Sequence, residues 1–199
     1  MVRVPASQKL SQRFYLRDTT TVARDLLGCT LVHVVNGKRL SGRIVETEAY
    51  LGLLDPAAHT YGGRRTERTR SMYLHGGHAY VYFIYGMHFC INVVTRKTGV
   101  PEAVLLRAVE PIDGIEFMRQ RRNVKKDRDL ANGPGKLCQA MSIDRTFDGV
   151  SFLSETLFIE ARSRKRLDSL IEISPRIGVD YAGDAAHWPL RFMLKTSQN

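Results

Sequence analysis

The sequence predicts one domain of the α+β class, in which antiparallel strands combine with short helices. Two pairs of strand-like segments are each joined by a tight turn, one at Asn36-Gly37 and the other at Tyr85-Gly86-Met87. Tight turns of this kind connect antiparallel neighbours. Short helical segments lie between the strands, and the 199 residues show no linker, repeat or low-complexity tract. A chain of this length fits a single domain with a sizeable core.

The first half of the chain gives the clearest local signals. Residues 1–19 are predicted to be a polar lead-in with little structure of their own. Thr20 or Thr21 is predicted to cap a short helix that ends at Leu27, because Gly28 follows. Strands 29–35 and 38–50 then flank the Asn36-Gly37 turn, and the polar residues 51–69 form a long loop. Loops of this length in compact domains are usually functional or disordered.

The second half predicts two aromatic-rich strands, 78–84 and 88–94, and then an apolar strand at 103–109. Residues 111–122 have helical character and lead into a basic segment, and an apolar helix covers 137–141. Short strands at 157–160, 171–173 and 190–194 complete the chain. Basic residues mark a turn at 162–166.

Composition points to a polyanionic partner. Thirty Lys and Arg residues against twenty Asp and Glu residues give a net charge of +10, which favours binding to a polyanion. The hydrophobic content of 43% is ordinary for a globular protein. The three cysteines are far apart in sequence, so no disulfide is expected. With no signal-type apolar region and no apolar run that could span a bilayer, we expect a cytoplasmic chain without membrane contact.

Strand 38–50 carries a pair of carboxylates. Alternation from Arg43 to Tyr50 would place Ile44, Glu46, Glu48 and Tyr50 on one face. Two carboxylates in a cleft are suited to hydrolysis, because one of them can activate water while its surroundings shift its pKa. The alternative is that Glu46 and Glu48 are solvated on the polar face of an edge strand.

The tip of the aromatic hairpin is unusual for a turn. Most side chains of the two strands are expected in the core, but Tyr85 and Met87 flank Gly86 where hairpins usually carry Asn, Asp or Ser. Proteins that distort duplex DNA insert bulky apolar wedges between base steps. The sequence therefore predicts a wedge at this tip.

Several classes of chemistry are excluded by missing motifs. The chain has no G-x-S-x-G, H-E-x-x-H or G-x-G-x-x-G, and His75 and His78 lack further ligands at useful spacing, so no metal and no cofactor are expected. Arg107 interrupts the apolar strand 103–109 and needs a carboxylate or phosphate partner if it is buried. A cofactor-free hydrolytic site built on a carboxylate remains.

Five sequence blocks, in order, resemble the alkyladenine (3-methyladenine) DNA glycosylase family of the mammalian type. They are GRIVETEAYLG at 42–52, AAH at 57–59, YVYFIYGM at 80–87, LLRA at 105–108 and KLCQA at 136–140. The resemblance implies one mixed domain around a curved antiparallel sheet, with a hairpin that enters the DNA minor groove. It also implies a monofunctional glycosylase that flips a damaged purine out of duplex DNA and hydrolyses its N-glycosidic bond to start base excision repair.

The resemblance also implies roles for single residues. Glu48 would be the general base that activates water, and Arg107 with a backbone carbonyl near Ile177 would help to hold that water. Glu46 would be structural. Tyr50, His59 and Tyr82 would enclose the flipped base, and Asn92 would exclude normal guanine. The positions expected to contact DNA are Tyr85, Met87, Arg64, Thr66, Met72 and Lys136. His88 stands where mammalian members tend to have Tyr.

The expected partner is duplex DNA that contains alkylated or deaminated purines of the 3-methyladenine, 7-methylguanine, hypoxanthine and etheno-adenine class. We expect a monomer, nucleoid-associated if bacterial and nuclear if eukaryotic. Three alternatives stay open: a non-catalytic nucleic-acid-binding module on the same fold, a carbohydrate glycosidase, and a bifunctional glycosylase that uses Lys136 as an amine nucleophile.

Overall fold

The fold is organised around one long central strand, β2. The computed structural model describes residues 9–162 and 167–195. Its strands are β1 (Thr30–Val35), β2 (Lys38–Tyr50), β3 (Ala79–Ile84), β4 (His88–Thr95), β5 (Glu102–Asp113), β6 (Leu157–Glu160), β7 (Ile171–Ser174) and β8 (Arg191–Leu194). Its α-helices are α1 (Gln12–Tyr15), α2 (Thr19–Leu26), α3 (Ile115–Arg122) and α4 (Pro134–Ala140).

The strands form a curved antiparallel sheet in the order β3-β4-β5-β2-β1-β6. One edge of β2 pairs with β5 along nearly its whole length. The other edge is shared, since β1 pairs with residues 38–43 and β8 pairs with residues 46–48. β7 pairs with β8 beyond that point. The predicted α+β class with a curved antiparallel sheet is confirmed. Within the sheet β3 pairs antiparallel with β4.

A β-bulge changes which side chains of β2 share a face. The register with β5 shifts between Ile44 and Glu46 and again between Glu46 and Thr47. Ile44 and Ala49 both lie in the main hydrophobic core, whereas Glu46 and Glu48 both contact Arg107. The predicted shared face is therefore wrong at Ile44, because a bulge adds one residue and breaks strict alternation.

Local turn chemistry follows the sequence at the β1–β2 hairpin. Asn36 and Gly37 have φ values of 49° and 75°, the left-handed conformation that a two-residue turn of this type requires. At α2 the predicted cap, Thr20 or Thr21, is wrong by two or three residues. Asp18 is the N-cap, and its carboxylate accepts a hydrogen bond from the backbone N–H of Thr21 at 3.0 Å. An Asp at this position satisfies an orphan N–H group of the first turn.

The N-terminal segment is more ordered than its polar composition predicts. Residues 1–8 lie outside the described part of the chain, but α1 follows and Tyr15 at its end is fully buried in the main core. The N–H of Leu10 also donates to Ile159 O at 2.8 Å. The predicted helix 111–122 is too long at its start, since residues 111–113 belong to β5 and α3 begins only after Gly114.

The main core lies between the sheet and helices α2 and α4. Leu26 of α2 and Leu137 of α4 are fully buried there. Cys29, Cys90 and Cys138 are buried free thiols. None of the helices in the described ranges has the length and apolar composition needed to cross a bilayer. Of the predicted basic turn at 162–166, residues 163–166 lie outside those ranges.

Candidate active site

A cavity of about 430 Å³ opens beside the β3–β4 hairpin. Strands β2 to β5 supply one part of its wall, the loop after β2 supplies another, and a segment between β7 and β8 closes it. The residues most relevant to chemistry among those that line it are Tyr50, His59, Tyr80, Tyr82, Asn92, Arg107 and Ile177. Ligand pockets in proteins range from about 300 to 1,000 Å³, so the cavity has room for one small ring system.

Glu48 lies directly behind this wall. Its side chain is fully buried and does not line the cavity itself. The hydroxyl of Tyr50 donates to Oε2 at 2.9 Å, and the backbone N–H of Ile177 donates to Oε1 at 2.8 Å. Nη1 of Arg107 is 3.3 Å from Oε2. Tyr50, Ile177 and Arg107 all line the cavity, so the carboxylate is one contact away from it.

The environment of Glu48 shifts its acidity. Burial raises the pKa of this carboxyl above its ordinary value, because the charged form loses its hydration. The positive charge of Arg107 and the hydrogen bonds from Ile177 and Tyr50 act in the opposite direction, and burial is the larger effect. A carboxylate with a raised pKa accepts a proton more readily than a solvated one, which suits a general base.

Glu46 is neutralised by two guanidinium groups. Nε of Arg107 donates to its Oε1 at 2.8 Å and Nε of Arg191 donates to the same atom at 2.6 Å. The side chain of Glu46 is buried apart from a small exposed fraction. The alternative of two solvated carboxylates on an edge strand is therefore wrong, because β2 is central and both acids are paired.

His59, Tyr80 and Tyr82 form one aromatic part of the wall. The ring of His59 stands edge-on to Tyr82, with ring centroids 4.6 Å apart, and its Nδ1 is 2.8 Å from the hydroxyl of Tyr80. Burial, followed by the charges of Arg68 and Arg64, lowers the pKa of His59 to about 4. His59 is therefore neutral near pH 7 and can offer one donor or one acceptor nitrogen. Tyr80 stacks on Tyr82 with centroids 5.3 Å apart.

Sequence reasoning missed two buried residues behind Tyr50. Arg176 and Asp55 form a bidentate ion pair in which neither side chain is exposed, with N–O distances of 2.5 and 2.8 Å. The guanidinium of Arg176 lies 4.8 Å from the centroid of the Tyr50 ring and also donates to Ala49 O at 3.1 Å. Arg176 immediately precedes Ile177, so this pair anchors the segment whose N–H reaches Glu48.

Tyr80 was also missed, although a signal for it exists. Residues two apart in a strand share a face, so the position of Tyr82 implies that Tyr80 faces the same way. Asn92, on the neighbouring strand, is buried and lines the cavity, and its Nδ2 donates to Tyr80 O at 3.0 Å. Near Ile177 the contact to Glu48 comes from a backbone N–H group, whereas the resemblance implied that a backbone carbonyl there helps to hold the water.

The hairpin tip presents large side chains to solvent. Tyr85 is 80% exposed and Met87 is 68% exposed, and Gly86 between them has φ 68°. Tyr85 itself has φ 54°, a conformation that is uncommon outside glycine. Tyr85 also lines the mouth of the cavity.

The remaining residues expected to contact DNA lie in two different environments. Arg64, Thr66 and Lys136 are exposed. Met72 is 2% exposed and lines the cavity, so its side chain belongs to the pocket wall and is not part of an open surface. Within residues 9–162 and 167–195 there is no group of three or more side chains that could hold a metal ion.

Comparison with known proteins assigns this arrangement to a family. The family model described as methylpurine-DNA glycosylase matches residues 13–198, which is most of the chain. The chain belongs to the methylpurine-DNA glycosylase family. A protein of Desulfitobacterium hafniense named "Putative 3-methyladenine DNA glycosylase" is 47% identical over 96% of this chain and 97% of its own length. Proteins of the same name from Clostridium acetobutylicum and Bacillus cereus are 49% and 52% identical, over 94% and 90% of this chain and 94% and 92% of their own.

Membership of the methylpurine-DNA glycosylase family confirms the resemblance found in the sequence. It also confirms the enzyme class, a hydrolase that acts on N-glycosyl bonds, and DNA as the partner on which the family acts.

Proposed function

We propose that this methylpurine-DNA glycosylase flips a damaged purine out of duplex DNA into the cavity and hydrolyses its N-glycosidic bond with a water activated by Glu48. The observation that carries the proposal is a buried, paired carboxylate one contact behind an aromatic cavity large enough for one base. The proposed substrates are alkylated and deaminated purines of the 3-methyladenine, 7-methylguanine, hypoxanthine and etheno-adenine class.

The attacking water is proposed to lie where Arg107 and Ile177 meet the cavity, next to Glu48. As the bond between C1′ and the purine nitrogen breaks, its electron pair goes to the base and C1′ becomes oxocarbenium-like. The water oxygen then bonds to C1′, and Glu48 takes the proton. Only one carboxylate is required, because an alkylated purine carries a positive charge and leaves readily. Glu46 keeps a structural role, held by Arg107 and Arg191.

The aromatic wall supports retention of a flipped base. Stacking of a base on an aromatic ring contributes about 1–3 kcal/mol, and cation–π attraction to an alkylated base contributes about 0.5–2 kcal/mol. Flipping costs a few kcal/mol, and less for a damaged base that stacks poorly. The fit between Tyr50, His59 and Tyr82 therefore decides which bases stay in the cavity. Asn92 lines the same space and is proposed to crowd the exocyclic amino group of normal guanine.

Contacts with the duplex are proposed for the hairpin tip and the basic surface around the cavity. Tyr85 and Met87 would fill the gap that the flipped nucleotide leaves. The exposed Arg64, Thr66 and Lys136 would contact phosphates, and the net charge of +10 supports a polyanionic partner. We propose that the enzyme acts as a monomer of one domain.

Release of free base from synthetic duplexes tests this function. Each duplex carries one lesion from the proposed class, and an undamaged duplex serves as control. We expect release from at least one lesion duplex and none from the control. Binding without any release would favour a non-catalytic module on the same fold. Trapping of a covalent DNA adduct with borohydride would favour a bifunctional enzyme with Lys136 as nucleophile.

A further inference from the structure

Arg68 holds a positive charge against one ring of the cavity. Its guanidinium carbon is 5.3 Å from the centroid of Tyr82. The neighbouring acid, Glu67, lies 3.5 Å from Arg70. No ion pair of Arg68 is found in the described ranges 9–162 and 167–195, so its charge is not neutralised there by a carboxylate.

Tyr82 lines the cavity, and Arg68 lies against this ring without lining the cavity itself. A base stacked on Tyr82 would therefore share the ring with a cation that the protein supplies itself. The charge of Arg68 also acts on His59, another residue of the cavity wall. Burial is the largest cause of the lowered pKa of His59, and the charge of Arg68 is the next largest.

We propose that Arg68 is a specificity-determining residue that shifts the cavity away from positively charged purines and toward neutral ones. The inference rests on the proposed function and deepens it. A ring that already faces a guanidinium attracts a second cation less, and two like charges repel across a short distance. A neutral base has no cation–π attraction to lose and is not repelled by Arg68, and it keeps its stacking on Tyr82.

Breakage of the glycosidic bond also favours neutral purines over cationic ones when Arg68 is present. A cationic purine receives the electron pair of the glycosidic bond and leaves as a neutral base. A neutral purine receives the same pair and develops negative charge as it leaves. The charge of Arg68 therefore disfavours a cationic purine in the bound state. It favours the negative charge that develops on a neutral purine as that purine leaves. Removal of Arg68 should raise the excision of cationic bases relative to neutral bases.

Arg65 offers a matched control in the same loop. It is also exposed, and its guanidinium carbon lies 4.7 Å from the centroid of Tyr73, a ring that does not line the cavity. R65M therefore removes a similar cation–π contact and the same charge from a nearby position in the loop. R68K keeps a positive charge at position 68, next to Tyr82.

The experiment measures excision of 7-methylguanine, a cation, and of hypoxanthine, which is neutral, from otherwise identical duplexes at limiting substrate. For R68M we expect the ratio of the two kcat/KM values to rise by about three- to tenfold in favour of 7-methylguanine. R65M and R68K should stay near the wild-type ratio. NMR titration of His59 gives a readout without catalysis, in which R68M raises the pKa of His59 and R65M does not.

Three outcomes would overturn the inference. An unchanged ratio in R68M would show that the charge of Arg68 does not act on the bound base. If the wild type still releases both bases, the proposed function is unaffected by that result. An equal loss for both bases would assign Arg68 to phosphate binding only. A wild-type enzyme that releases neither base would remove the proposed function and this inference with it.

Discussion

Nη1 of Arg107 lies 3.3 Å from Oε2 of Glu48, and both side chains are largely withdrawn from solvent. The same guanidinium donates to Glu46 through Nε at 2.8 Å. Arg107 therefore lies between the two carboxylates of β2 and forms part of the cavity wall. This arrangement gives the two acids different roles, because Glu46 has a second guanidinium in Arg191 and Glu48 has hydrogen-bond donors from the cavity wall.

Removal of Arg107 should move the pH dependence of excision. Burial raises the pKa of Glu48 and Arg107 opposes that effect, so Arg107→Gln should raise this pKa further. Because the general base must be ionised, activity is lost as the pH falls through its pKa, and the acid limb of kcat/KM should move to higher pH. Arg191→Gln is the control, since Arg191 pairs with Glu46. Equal shifts in both variants, or a shift of R107Q to lower pH, would contradict this account of Glu48.

Tyr85→Ala should weaken base flipping more than general DNA affinity. Tyr85 is 80% exposed, so the fold should change in stability by no more than about 0.5 kcal/mol. The fluorescence of etheno-adenine in a duplex reports flipping, and binding of lesion and undamaged duplexes is measured in parallel. Leu54→Ala removes another exposed apolar side chain, outside the hairpin, and should change neither quantity. A uniform loss of affinity for both duplexes in Y85A would argue against the wedge.

Binding to DNA should fall steeply with salt. The logarithm of the binding constant is expected to change with the logarithm of salt concentration by about −0.9 for each phosphate neutralised. Arg64→Ala and Lys136→Ala should each reduce the slope by about one such contribution. Arg43→Ala should leave the slope unchanged, because Arg43 already pairs with Glu110 and lies in the middle of β2, away from the cavity end at Tyr50. A flat salt response of the wild type would favour a carbohydrate glycosidase.

The buried pair of Arg176 and Asp55 should be essential for stability. Arg176→Met leaves the carboxylate of Asp55 buried without its partner, and such changes cost about 3–5 kcal/mol. Urea unfolding at pH 7 measures the loss. Arg43→Met breaks the exposed pair with Glu110 and should cost no more than about 1 kcal/mol. Similar losses in the two variants would show that burial does not distinguish these pairs.

Strong local signals in the sequence predicted the strands and the turns. The Asn36-Gly37 pair predicted the first hairpin, and the Tyr85-Gly86-Met87 tip predicted the second, because backbone conformation there depends on adjacent residues. Burial of Tyr15 was not predictable from its polar neighbours, since it depends on contact with Phe152 across the chain. The bulge in β2 was missed as well, because it depends on the register with β5.

The candidate site also contains some residues that the sequence predicted and others that only the structure reveals. Family motifs in the sequence identified Glu48, Arg107, His59 and Tyr82, and the structure brings these side chains to one cavity or directly behind it. Arg176 and Asp55 are 121 residues apart and occur in no recognisable motif, so only the folded structure reveals their pairing. Arg68 belongs to the loop at 51–69, and its position against Tyr82 depends on how that loop packs.

The role of Glu48 as general base is tested by single-turnover excision with Glu48→Gln, with binding measured on the same lesion duplex. Gln keeps the size of the side chain and removes its ability to take a proton. We expect excision to fall by about two to four orders of magnitude while lesion affinity stays near that of the wild type. Excision by E48Q at the wild-type rate would remove Glu48 from the mechanism.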